Sequence, residues 1–234
     1  SKMSKSKGNL VAPAKYFDTV GADALRLFHL FVGPPADDVD WSEQTDEVID
    51  GCGRFLNRVW RLATGEVAEV PGAKPPAGDL GRATHALVAR VSEDYDRWSY
   101  NTAVAACMEF TNLLYKHVQA GGASVDEAVD RLLLVMAPMA PHVTAELWER
   151  RHPGAHIHTE RWPAFDPALA SALTETMVVQ VNGKVRDRIE VDAGVDEAEM
   201  ERLALASPKV QAALDGGEPR KVIARPPKLV NLVR

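Results

Sequence analysis

The chain has 234 residues, 46% of them hydrophobic, enough to bury one or two cores, and no apolar run approaches the length of a membrane span. With 33 acidic against 27 basic residues it carries a formal charge of −6, which argues against a uniformly basic RNA-binding surface. The charge is unevenly spread: from Arg220 onward Arg220, Lys221, Arg225, Lys228 and Arg234 meet no acid, and up to Ala36 five cations face only Asp18 and Asp23.

The first stretch, Lys2-Met3-Ser4-Lys5-Ser6-Lys7-Gly8-Asn9, packs three lysines and two serines ahead of a turn-forming Gly-Asn pair. Such a loop can wrap a polyphosphate, with ammonium charges, hydroxyl donors and a glycine that lets the backbone approach closely. On composition alone the competing reading is a solvated basic arm. Pro13 can open a helix with Tyr16, Phe17 and Val20 in apolar spacing, and Asp23 to Phe31 reads as a second short helix stopped by Gly33-Pro34-Pro35. Trp41, past an acidic run, is expected in a core.

Ser42 or Thr45 can cap a helix to about Ala63 whose buried stripe is Val48, Ile49, Cys52, Phe55, Leu56, Val59 and Leu62. Arg54, Arg58 and Arg61 recur four and three apart on another face, either a solvated surface or an RNA-backbone row. Cys52 and Cys107 read as small buried hydrophobes, not a disulfide or metal pair, which fits a reducing cytoplasm. After a Pro/Gly-rich loop from Pro71 to Gly78, Asp79 starts a helix to about Tyr95 with Leu87, Val88 and Val91 inward. Asn101 is the expected N-cap of the next helix, which carries Val104, Met108, Leu113 and Leu114 and ends at Gly121-Gly122. Ser124 and Glu127 suggest a capping box, followed by Leu132, Leu133 and Met136. Pro138 and Pro141 then end one helix and start another, reaching about Trp148. His142 has no nucleophile or carboxylate at a telling spacing, so it is expected as a packed histidine. His152, His156 and His158 come from one loop without a recognisable ligand register, so no metal is assigned.

From Met177 the period changes. Val179, Val181, Val185, Ile189 and Val191 alternate around Asn182-Gly183, a hairpin signal. Asp196 to about Leu214 reads as helix, and Lys221 to Val233 as two strands around Pro226-Pro227. As a strand, Lys184, Arg186 and Arg188 would share one face and, with Arg220, Lys221, Arg225 and Lys228, form a phosphate-facing patch; the alternative is edge-strand cations that discourage aggregation.

Several of these segments carry a resemblance. Lys2 to Ser6 spells KMSKS, and Gly21-Ala22-Asp23-Ala24-Leu25-Arg26 follows at matching spacing; together they resemble class I aminoacyl-tRNA synthetases. Arg54-Phe55-Leu56-Asn57-Arg58-Val59-Trp60 resembles the opening of that class's anticodon-binding bundle, and Met136 to His142 its "L-A-P-x-x-P-H" break. Val179 to Arg186 and the ending from Arg220 are similar to the C-terminal domain of the bacterial leucine enzymes. Valine members usually end in a coiled coil, isoleucine members often in a cysteine zinc site, and methionine members lack this domain; the tail here has neither heptads nor cysteine.

The resemblance implies a mainly α protein: a KMSKS loop and helical connector at residues 1–40, an anticodon-binding-type helical bundle at 41–170, and a small α+β tRNA-binding domain at 174–234. It further implies that Lys2, Met3, Ser4, Lys5 and Ser6 contact ATP, with Lys2 and Lys5 stabilising the charge on departing pyrophosphate while leucine attacks the α-phosphate. ATP and Mg2+ would be handled by a parent enzyme whose catalytic domain, with its H-I-G-H motif, lies outside this chain. The chain alone would bind no cofactor and form no adenylate. Its expected partner is tRNA(Leu), met by Arg54, Arg58 and Arg61 and by the C-terminal cations, in a monomeric cytoplasmic enzyme. The alternatives are a non-catalytic RNA-binding module and a valine or isoleucine enzyme. A different phosphate-binding enzyme is disfavoured by the lack of a G-x-x-x-x-G-K-[ST] or G-x-G-x-x-G loop.

Overall fold

The computed structural model describes residues 3, 5–7, 10–38, 41–171, 174–192, 195–215, 217 and 219–233, with the backbone alone for Lys5, Glu43, Thr174, Glu175 and Asp192. Lys2 and Ser4 lie outside the described residues, as does the side chain of Lys5. The chain is mainly helical with one four-stranded sheet, and its contacts divide it into two units, Ser1–Ala170 and Ser171–Arg234.

The first unit opens on a 3-10 turn, Lys5–Lys7, and a single helical turn, α1 (Ala14–Phe17), shorter than the apolar spacing suggests: Phe17 is left exposed. Helices α2 (Ala22–Phe31), α3 (Glu43–Ala63), α4 (Leu80–Asp96), α5 (Tyr100–Gln119), α6 (Asp126–Met136) and α7 (Pro141–Arg151) follow, with a last turn, α8 (Pro167–Ala170). Their apolar stripes meet in one core: Leu27 and Phe28 of α2, Ile49 and Val59 of α3, Val88 of α4, Leu114 of α5, Leu132 and Met136 of α6 and Leu147 of α7 are all nearly or wholly removed from solvent. Trp41 packs edge-on to Phe28, as a core residue should. Burial pushes the Cys107 thiol up to about 12 and that of Cys52 to about 11, so both stay protonated.

Local chemistry sets the boundaries. The backbone N–H of Ser42 donates to Thr45 Oγ1, closing the start of α3, and Asp79 Oδ1 accepts from Arg82 N at the start of α4. Two expected caps are displaced. Asn101 lies inside α5, because α4 ends on Trp98 in the left-handed region (φ 59°) with Ser99 N donating to the carbonyl of Asp94, so Ser99 becomes the cap position. Ser124 sits one residue too early for a capping box: its hydroxyl engages Asp126, while Glu127 pairs with Arg131. At the far end α7 runs on to Arg151, which donates to Asp130 and Asp126 and to the carbonyl of Ala63. His152 joins this network through Asp130, 3.0 Å away, and stacks on Trp148.

The second unit is a sheet covered by helices. Strands β1 (Thr174–Val181) and β2 (Lys184–Asp192) form a hairpin whose turn residues, Asn182 (φ 51°) and Gly183 (φ 76°), both take the left-handed conformation of a type I′ turn. Helices α9 (Glu197–Ala206) and α10 (Pro208–Leu214) follow, then β3 (Lys221–Arg225) and β4 (Leu229–Val233). The expected single helix over 196–214 is split because Pro208 has no N–H to continue α9. Ser207 starts α10 afresh, its hydroxyl accepting from Val210 N. Strand order is β2-β1-β4-β3, with β1 and β4 parallel. Met177, Val179 and Val181 of β1, Val230 and Leu232 of β4, and Val191 of β2 face Met200, Val210 and Leu214 of the two helices.

Candidate nucleic-acid interface

Two surfaces collect the predicted contact residues. The first lies along α3. Arg54, Arg58 and Arg61, spaced i, i+4 and i+7, line one groove of about 660 Å³ together with Thr19, Val20 and Asn57, and Asp50 is the acid among them. The three cations are held differently. The Arg58 guanidinium stacks on the Tyr115 ring at 4.3 Å and donates to Asn112 Oδ1, while the Tyr115 hydroxyl donates back to the Arg58 carbonyl at 3.2 Å. Arg61 reaches the carbonyl of Glu66, and Arg54 has no partner among the described residues. Asn112 and Tyr115 were not singled out from sequence; their signal is a pair of hydrogen-bonding side chains three apart on α5. A guanidinium stacked on an aromatic ring and bonded once still presents further N–H groups, the pre-organised fork that suits a phosphate.

The second surface is the sheet face opposite α9 and α10. Cross-strand pairing aligns Arg188, Val178, Leu229 and Arg225 in one row, so an arginine stands at each edge with aliphatic side chains between. Three strand spacings separate those edges, about 14 Å. Lys221, four residues away along β3, lies on the same face. The expectation that Lys184, Arg186 and Arg188 share a face is corrected by a β-bulge. Val179 pairs with Asp187 and Gln180 with Val185, so Arg186 is an extra residue without a cross-strand partner. Lys184 then pairs with buried Val181 on the helix side, while Val185 turns outward and is 47% exposed. Arg220 precedes β3 and Lys228 lies in the β3–β4 turn, both exposed. Among the described residues none of these seven cations forms a side-chain ion pair or hydrogen bond. The bulge has its own fastening: Asp187 accepts from Lys209 Nζ and Ser207 Oγ, each at 2.7 Å, and those bonds hold its carboxyl down at about 2.

The phosphate-loop assignment is only partly within view: Met3 is exposed, Ser6 is exposed on the 3-10 turn, and Lys2, Ser4 and the Lys5 side chain lie outside the described residues. The helix after the loop is tied into the bundle by its motif residues. Asp23, 5% exposed, accepts from Val143 N at the start of α7, and Arg26 donates to the carbonyls of Pro138 and Met139. His142 is solvent-exposed next to this junction, not packed. Among the described residues no group of three or more His, Cys, Asp or Glu side chains is placed to hold a metal, and no helix is long and apolar enough to cross a membrane.

Comparison with known proteins adds the following. Residues 80–201 match the family described as the anticodon-binding domain of tRNA ligase, and residues 1–42 match that of class I tRNA synthetases (I, L, M and V). A leucine–tRNA ligase from Symbiobacterium thermophilum is 40% identical over the whole of this chain and 32% of its own length. One from Rubrobacter xylanophilus is 43% identical, again over the whole chain and 28% of its own length. The chain thus spans about a third of the length of these relatives. Among solved structures, the ternary complex LeuRS–tRNA–LeuAMS from Agrobacterium radiobacter K84 aligns with 99% of this chain and 30% of its own at a TM-score of 0.74 and 27% identity.

Proposed function

The chain belongs to the family of tRNA-ligase anticodon-binding domains, and on that premise we propose that it is the C-terminal part of a leucine–tRNA ligase. The observation that carries this reading is the full extent of the likeness: relatives of that name align from the KMSKS segment through the last strand, at 40% and 43% identity. The parent enzyme activates leucine with ATP and transfers it to tRNA(Leu). This chain supplies the phosphate loop, the helical bundle and the terminal sheet.

In that enzyme Lys2 and Lys5 stabilise the leaving pyrophosphate as preplaced cations, and Met3, Ser4 and Ser6 complete the ATP contact. Lysines and serines fit phosphate oxygens but offer no anionic ligand to Mg2+, which would arrive on the nucleotide. Arg54, Arg58 and Arg61 track RNA phosphates along α3, and Arg188, Arg225 and Lys221 accept them across the open sheet face, with Arg186, Arg220 and Lys228 on its margins and Lys184 beside the hairpin turn on the helix side. The enzyme acts as a cytoplasmic monomer.

The test is ATP–pyrophosphate exchange in the full-length ligase carrying Lys5→Ala. Loss of one transition-state donor should slow adenylation by about 100- to 1,000-fold with leucine binding unchanged. A rate close to wild type would remove Lys5 from the chemistry and leave an RNA-binding module.

A further inference from the structure

Three segments that stand apart in sequence meet in one open cleft of about 540 Å³ in the first unit: Val20 to Asp23 before and within α2, Leu56, Asn57 and Trp60 on α3, and His142 at the start of α7. That volume lies within the range of small-molecule sites, about 300 to 1,000 Å³. The cleft shares Val20 and Asn57 with the arginine groove of α3, so the two are continuous. Their chemistry differs sharply. The groove offers three guanidinium groups, whereas the cleft offers aliphatic walls, an indole, and the exposed polar ends of Asn57 and His142. Asp23 forms part of its wall: one carboxylate oxygen accepts from Val143 N at 2.7 Å, and Oδ1 is buried without a partner among the described residues. The Trp60 ring is braced by the Arg150 guanidinium, 4.7 Å from its centroid.

Phosphate contacts hold a nucleic acid in register, while apolar and polar side chains beside them receive a base taken out of the stack. We propose that this cleft receives one unstacked nucleobase of the RNA whose backbone lies on the Arg54–Arg58–Arg61 row, a proposal that rests on the RNA-binding reading of that row. The base lies against Leu56 and Trp60 and turns its hydrogen-bonding edge to Asn57 and His142.

The experiment uses this 234-residue chain with Asn57→Ala, His142→Ala and Arg54→Ala, all exposed positions whose retained fold is checked by thermal melting. An unmodified tRNA(Leu) transcript is titrated over a range of salt, and then transcripts with a single abasic site at each unpaired nucleotide in turn. Asn57→Ala and His142→Ala are each expected to weaken binding about tenfold, the scale of losing a base contact, with no change in the salt slope. One abasic position should cause the same loss, and Asn57→Ala should add nothing to it. Arg54→Ala should instead lower the slope by about one. The proposal falls if the Asn57 and His142 variants bind as wild type while Arg54→Ala lowers the slope. It falls equally if the Asn57→Ala loss adds to every abasic site, which would place the contact on the backbone or on another protein surface. If Arg54→Ala changes neither affinity nor slope, the reading of the arginine row fails first.

Discussion

The two units spend their basic residues in opposite ways. In the helical unit Arg90, Arg97, Arg131, Arg150 and Arg151 each meet a carboxylate, and Arg26, Arg58, Arg61 and Arg82 each reach a carbonyl or amide oxygen of the protein itself. In the sheet unit only Arg202 and Lys209 are so engaged among the described residues, and seven other cations stand clear in solvent. The lesson concerns net charge. A chain of formal charge −6 still offers a phosphate surface if its unpaired cations are gathered on one face. It follows that arginine substitutions in the first unit should mostly read out as stability, and those in the second as RNA affinity.

The strongest way to break that contrast is Arg151→Ala. Its side chain is 14% exposed and ties α7 to Asp130, Asp126 and the end of α3, so truncation leaves the partly buried Asp130 carboxylate with His152 alone. A loss of about 3 kcal/mol in urea unfolding is expected, without a change in the salt slope of tRNA binding. Next comes the double change Arg188→Ala and Arg225→Ala at the two edges of the open sheet face. It should leave the melting temperature unaltered and lower the salt slope of tRNA(Leu) binding by about two, one per lost phosphate contact. An unchanged slope would mean that RNA does not lie on that face.

A finer probe is acidity. The Asp187 carboxyl is held at about 2 against an ordinary 3.8, first by the Lys209 ammonium and then by the Ser207 hydroxyl. Because the folded value is the depressed one, its contribution is complete above about pH 4 and is lost as pH falls from there towards 2. Asp187→Asn should flatten the stability of the sheet unit across that window, measured by urea midpoints at successive pH values. The smallest effect belongs to Arg97→Ala, whose pair with Glu93 is exposed on both sides; urea unfolding should change by less than about 0.5 kcal/mol.

Much of this architecture was legible in the residues because it depends on local rules. The stripe from Ile49 to Leu62, the Asp79 cap and the Asn182-Gly183 turn each follow from spacing or from one side chain. What escaped needed knowledge of a partner strand or a neighbouring turn. Parity along β2 places Val185 with Ile189 and Val191, and only the pairing with β1 reveals the extra residue that turns Val185 outward. Likewise nothing in Trp98 announces a left-handed conformation, a place usually given to glycine, so the start of α5 was set two residues late. The arginine row of α3 was legible as a row, but its support by Asn112 and Tyr115 came from a helix more than fifty residues away.

The double tether between α2 and the approach to α7 also has a mechanical meaning. Asp23 holds the N-terminal turn of α7 and Arg26 holds the two carbonyls just before it, so the joint is gripped from both sides. A helix anchored in this way has no free hinge. Any swing of α2 must carry α7 along or break three hydrogen bonds at once, and the bundle would register the displacement as a whole.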